Sequence, residues 1–204
     1  TELPIQELFF EKEAEIFSEI NAIVDDQDID FETKVQLLSV PKRKAVQGFL
    51  KDLFSFSNVQ SEIIIYQFIL LKRLLNLTKW SLRATNWRSL VIASLQLAQK
   101  VEDDENRLTA KQVNYAYPLL DRDILIRLET SFLTLIDYNV IVRSREFKAQ
   151  LMNVLLQAEP FLKAPPNLIP NSSFFLSILP FFFLSVLYSL TVRWQQGPLC
   201  FISR

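Results

Sequence analysis

The stretch Asn86-Trp87-Arg88-Ser89-Leu90-Val91-Ile92-Ala93-Ser94-Leu95-Gln96-Leu97-Ala98-Gln99-Lys100-Val101-Glu102-Asp103-Asp104 decides how the rest of the chain is read. Trp87, Leu90, Val91, Ser94, Leu95, Ala98 and Val101 recur every third or fourth residue, which is the spacing of one helix face. The small residues Ala93, Ser94 and Ala98 let a second helix come close. The acidic run Glu102-Asp103-Asp104-Glu105 closes the segment. The spacing predicts a core helix from Asn86 to Val101.

On the N-terminal side, Ile63, Ile64, Ile65, Phe68, Ile69, Leu70 and Leu71 leave the preceding segment almost no polar face. Such a helix is buried by its neighbours. Ser57-Asn58-Val59-Gln60 has capping-box spacing at its start, and it is expected to end near Asn76. Lys72 and Arg73 fall in its last turns, where cations suit the helix dipole. Before it, Pro41 fits a first helical turn, and Val46, Phe49, Leu50, Leu53 and Phe54 form a stripe that ends near Ser55 to Ser57. Residues 4–24 read as an amphipathic helix through Ile5, Leu8, Phe9, Ile16, Ile20 and Ile23, and Asp25 to Thr33 as a solvated linker.

On the C-terminal side, Thr109-Ala110-Lys111-Gln112 is a second capping box, opening a short helix that ends before Pro118. Asp121 caps the next, which carries Ile124, Leu125, Leu128, Phe132, Leu135 and Ile136 toward Tyr138. Phe147, Leu151, Val154 and Leu155 then mark a helix from Ser144 to Ala158.

Composition agrees with an all-α chain. Half of the 204 residues are hydrophobic, and only 2 are glycine. A sheet protein of this length needs glycine for its tight turns. The formal net charge of −1 gives no reason to expect nucleic acid as a partner.

The missing residues narrow the function. There is no histidine, and Cys200 is the single cysteine. That removes His-dependent nucleophile arrangements, the common zinc sites and any disulfide within the chain. A single cysteine also suits a reducing compartment. Gly48 and Gly197 stand alone, so no glycine-rich phosphate loop exists. The four adjacent acids from Glu102 to Glu105 lack the glycine of a calcium loop and read as a solvated helix end. The acid-rich start (Glu2, Glu7, Glu11, Glu13, Glu15) does not read as a secretory signal. Composition leaves a carboxylate- or lysine-based enzyme open, but the expectation is a binding protein and not an enzyme, with no cofactor, no metal and no small-molecule substrate.

Five helices around a hydrophobic second and a small-residue third resemble a cyclin box. The Asn86–Asp104 stretch is similar to the third-helix signature of the cyclin Y and Pho80-type branch: an aromatic and a basic residue, then Leu-Ala-Ser-Lys-Val, then an acidic pair. Gln99 stands where serine is usual. Arg127-Leu128-Glu129-Thr130-Ser131-Phe132-Leu133, followed by Tyr138-Asn139-Val140, resembles the fifth-helix run, and Asp30-Phe31-Glu32-Thr33-Lys34-Val35-Gln36-Leu37 faintly resembles a segment ahead of the box. The resemblance implies a regulatory subunit that binds and activates a cyclin-dependent protein kinase inside the cell, in the cytoplasm or the nucleus. It implies that Lys100 and Glu129 face the kinase backbone beside its regulatory helix, with Val101 next to the lysine and Tyr138 packing on an apolar kinase side chain.

On this reading, residues 1–40 are an N-terminal helix and acidic linker, 41–140 the cyclin box, 141–160 an additional helix and 161–204 a hydrophobic C-terminal segment. The family pattern gives no guide to that last segment. Residues 172–192 are uncharged and match the roughly 20 residues that cross a bilayer, although Pro180 interrupts them. A membrane anchor, helices packed on the box and a tail foreign to the family are the three readings. The alternative to a kinase regulator is a helical scaffold with a cyclin-like fold and no kinase, anchored or not through 172–192.

Overall fold

The structure, a computed structural model, describes residues 5–57, 59–102, 111–113 and 117–162. Every regular element among them is helical. In chain order these are α1 (Ile5–Ile16), α2 (Ile20–Asp25), α3 (Phe31–Leu38), α4 (Arg43–Ser57), α5 (Ser61–Thr78), α6 (Trp87–Glu102), α7 (Arg122–Leu135) and α8 (Ser144–Leu162). Residues 111–113 are also helical. The described residues are all-α, as the periodicity predicts.

The centre is the pair α5 and α6, which make the most extensive helix contact. Every residue of α6 from Trp87 to Gln99 is buried. Helix α5 buries Ile63 to Leu71 continuously, then Leu74, Leu75 and Thr78. Its polar Gln67 is buried too, and its amide fixes the register of the pair. Nε2 donates to the Val91 carbonyl at 2.9 Å and to Ser94 Oγ at 3.4 Å. That Ser94 is small enough to leave room for the amide is why the two helices come this close.

Around the pair, α7 packs on both α5 and α6, α8 packs on α5, and α1 packs on α7. Helix α4 turns Val46, Leu50, Leu53 and Phe54 into the same core, and Phe49 meets Trp87 edge-on with centroids 5.0 Å apart. Asp121 caps α7 as predicted, its carboxylate accepting from the Ile124 amide at 2.7 Å.

Three expectations need correction. The single amphipathic helix over residues 4–24 is broken at residues 17–19, because Phe17 and Glu19 are drawn into the interior. Phe17 stacks edge-on against Trp80 and Phe132, with centroids 5.8 and 6.4 Å away. The capping box at Ser57 does not form. Helix α4 runs through Ser57, α5 starts at Ser61, and Gln60 makes no side-chain cap. Burial of Val59 pulls the connection inward and leaves the serine on the wrong helix. The linker is also shorter than predicted, since Asp30 caps α3 by accepting from the Thr33 amide at 2.9 Å.

Candidate partner-binding site

The last two turns of α6 carry Gln96, Lys100 and Val101, and α6 packs on α7. Gln96 and Lys100 are one turn apart and share a side of the helix. Both reach Glu129 in the middle of α7. Lys100 Nζ lies 2.6 Å from each carboxylate oxygen, and Gln96 Nε2 donates to Oε2 at 3.0 Å. The glutamate side chain is 13 % exposed and the lysine 37 %. The pair therefore sits at the rim of the α6–α7 contact, its acid mostly covered and its cation facing outward. A lysine in the last turn also gains from the α6 dipole.

Val101 follows with an exposed side chain. Tyr138 lies beyond the end of α7 and is 65 % exposed. Its backbone is held tightly. The Tyr138 amide donates to the Leu133 carbonyl at 2.9 Å and that of Asp137 to Thr134 at 3.1 Å, the paired closure of a Schellman motif. Glycine normally takes the left-handed place in that motif. Here Asp137 and Tyr138 take it, with φ of 53° and 54°. Of the four predicted residues, the structure joins Lys100 to Glu129. Val101 and Tyr138 stand exposed, with no hydrogen bond or ion pair from their side chains to that pair among the described residues.

The sequence reading missed the residues that hold the loop after Tyr138. Arg73 was expected only to favour a helix dipole. Helix α5 in fact continues to Thr78, and Arg73 Nη1 donates to the Asn139 carbonyl at 2.7 Å while Nη2 donates to that of Ile141 at 3.0 Å. Arg73 also pairs with Glu146 of α8 at 2.6 Å. Tyr66, two turns earlier on the same face, donates to the Val140 carbonyl at 2.8 Å and accepts from the Val142 amide at 3.1 Å. Burial pushes the Tyr66 hydroxyl above its ordinary pKa, against the Val142 hydrogen bond. The available signal was a Tyr and an Arg seven apart on a helix otherwise almost wholly apolar.

A second missed constellation anchors the N-terminal segment. The buried carboxylate of Glu19 accepts from the Ser89 amide at 3.0 Å, Ser89 Oγ at 3.1 Å, Tyr117 Oη at 2.7 Å and Arg88 Nη1 at 3.2 Å. It serves α6 as a remote N-cap, satisfying an amide of the first turn. Arg88 also stacks over the Trp87 ring at 4.6 Å. Tyr117 is pushed well above the ordinary tyrosine range, first by burial and then by the charge of Glu19.

The sequence pattern of the family described as cyclin, N-terminal domain, matches residues 7–141. The chain belongs to the cyclin family. The matched region runs from within α1 past the end of α7 and takes in the Glu19 anchor, so in this cyclin most of the N-terminal segment and the helices after it are covered by one family pattern. No solved structure matches the chain significantly. Cyclins are regulatory proteins and not enzymes, and the role of this chain is accordingly regulatory. Among the described residues no helix is long and apolar enough to cross a membrane. Residues 172–192 lie outside them.

Proposed function

We propose that this cyclin binds a cyclin-dependent protein kinase through the Lys100–Glu129 rim and activates it by holding the kinase's regulatory helix in its active position. That placement would align the kinase's own Lys–Glu pair for phosphoryl transfer. The observation that carries the reading is the combination at the end of α6: an ion pair with an exposed cation, flanked in sequence by exposed Val101 and joined through α7 to exposed Tyr138. A partly covered charge pair beside bare apolar side chains fixes register and excludes water when a partner docks. Similarity of the third and fifth helices to the cyclin Y and Pho80-type branch supports a kinase of the kind that branch regulates, acting inside the cell. ATP and magnesium then belong to the kinase.

The test is co-purification of the full chain with identification of bound kinases. A cyclin-dependent kinase recovered in stoichiometric amount supports the reading. Recovery of helical or scaffold proteins without any kinase sinks it.

A further inference from the structure

The loop that follows α7 packs Val140 and Val142 against the core and is held further by hydrogen bonds. Four consecutive residues have backbone groups bound by side chains of α5: the carbonyls of Asn139 and Ile141 by Arg73, the carbonyl of Val140 and the amide of Val142 by Tyr66. Yet the Ile141 side chain is 74 % exposed. Just before it, two adjacent residues that are not glycine hold left-handed backbone. Such conformations are costly and persist only where surroundings over-determine them. The bonds from Arg73 and Tyr66 to residues 139–142 come in addition to that closure of α7.

The loop is also continuous with α7, the helix that carries Glu129. The Tyr138 amide closes on the Leu133 carbonyl, one turn beyond Glu129. Tyr66 in turn binds both flanks of Ile141. Tyr138 and Ile141 thus follow directly on the helix that holds the Glu129 end of the ion pair.

We propose that Arg73 and Tyr66 are positioning residues for kinase docking, and that they preset the 139–142 backbone so that Ile141, with Tyr138, enters the kinase as a fixed apolar pair. This rests on the kinase reading above. The physical advantage is preorganisation. A loop ordered before binding loses little conformational freedom on binding, and rigid apolar anchors carry a disproportionate share of interface energy. Glu146 completes the device by pairing with the Arg73 guanidinium, which keeps the two donating nitrogens aimed at the loop.

The experiment uses the full chain, its Arg73→Gln, Arg73→Lys and Ile141→Ala variants, and the kinase recovered with the unmodified chain. Amide exchange of free protein is read first. Arg73→Gln and Arg73→Lys should both speed exchange across 139–142 and leave α6 protected, since lysine restores the charge but not the planar fork. Ile141→Ala should leave exchange unchanged. Kinase affinity should then fall by about tenfold or more in all three variants. Unchanged exchange in Arg73→Gln overturns the positioning role. Loosened exchange with affinity within twofold overturns its bearing on docking, and full affinity in Ile141→Ala overturns the anchor. If the Lys100 and Glu129 variants lose kinase while these do not, the kinase reading stands and this inference falls. If the unmodified chain captures no kinase, both fall.

Discussion

Lys100 Nζ lies 2.6 Å from both carboxylate oxygens of Glu129, so the pair attributed to a kinase interface is closed within the free chain. An ion pair with its cation this exposed adds little to folding, on the order of 1 kcal/mol or less. A charge pair covered by a partner is another matter, because removing one member leaves the other desolvated, at a cost of about 2–5 kcal/mol. The two situations separate experimentally. Lys100→Ala should change the urea midpoint only slightly and Glu129→Ala somewhat more, because buried Gln96 loses its acceptor, while each weakens kinase binding by roughly 30-fold, about 2 kcal/mol. Equal losses in folding and binding would show that the pair serves the fold alone.

Glu19 carries more of the folding stability than any residue of the rim. Its carboxylate is buried, pairs with buried Arg88 and accepts the Ser89 amide. Glu19→Ala leaves the arginine uncompensated in the interior, for which about 3–5 kcal/mol is expected. Urea unfolding followed by far-ultraviolet circular dichroism measures it, and a loss below about 1 kcal/mol would contradict the anchor.

Much of the centre was legible in the sequence because local periodicity decided it. The stripe from Trp87 to Ala98, the apolar run of α5 and the Asp121 cap depend on residues a few positions apart, whereas Val101, read into the same stripe, stands exposed. The break at Phe17 was not legible. No Gly or Pro marks it, and its cause is contact with Trp80, Phe132 and the first turn of α6. The remote cap on α6 spans 70 positions, which no local pattern can show. Left-handed turns were hidden as well, since Lys79, Asp137 and Tyr138 occupy places where glycine is the usual sign. At the site, Lys100 and Glu129 came from family resemblance, and spacing alone could not pair residues on two different helices. Arg73 was read as a dipole partner because its acceptors are backbone carbonyls, which have no identity in a sequence.

Gly48 offers a check on the helix assignment of α4. It lies inside Arg43–Ser57, its φ is not positive, and a Cβ built there meets nothing within 4 Å. Glycine in a helix interior costs about 0.5–1 kcal/mol relative to alanine. Gly48→Ala should therefore stabilise the chain by about that amount, read as a higher thermal midpoint. A lower midpoint would mean that α4 packs more tightly than described.

Tyr117 makes stability depend on alkaline pH. Burial, and then the charge of Glu19, raise its pKa in the folded chain above the ordinary tyrosine value of about 10. Below about pH 10 both states keep the proton and this stabilisation is complete. As pH rises past about 10 the unfolded chain loses the proton first, so stability falls. Urea midpoints from about pH 8 to about pH 11 should decline, and Tyr117→Phe should flatten part of that decline. An unchanged slope in the variant would remove Tyr117 as its source.

The most direct test of the central claim is the phosphotransfer rate of the co-purified kinase as full-length chain is titrated into it. The account predicts a low rate for the kinase alone, a rise that saturates at one chain per kinase, and a titration displaced to higher concentration by Lys100→Ala and Glu129→Ala. A kinase that binds the chain yet phosphorylates its substrate no faster at saturation would contradict it.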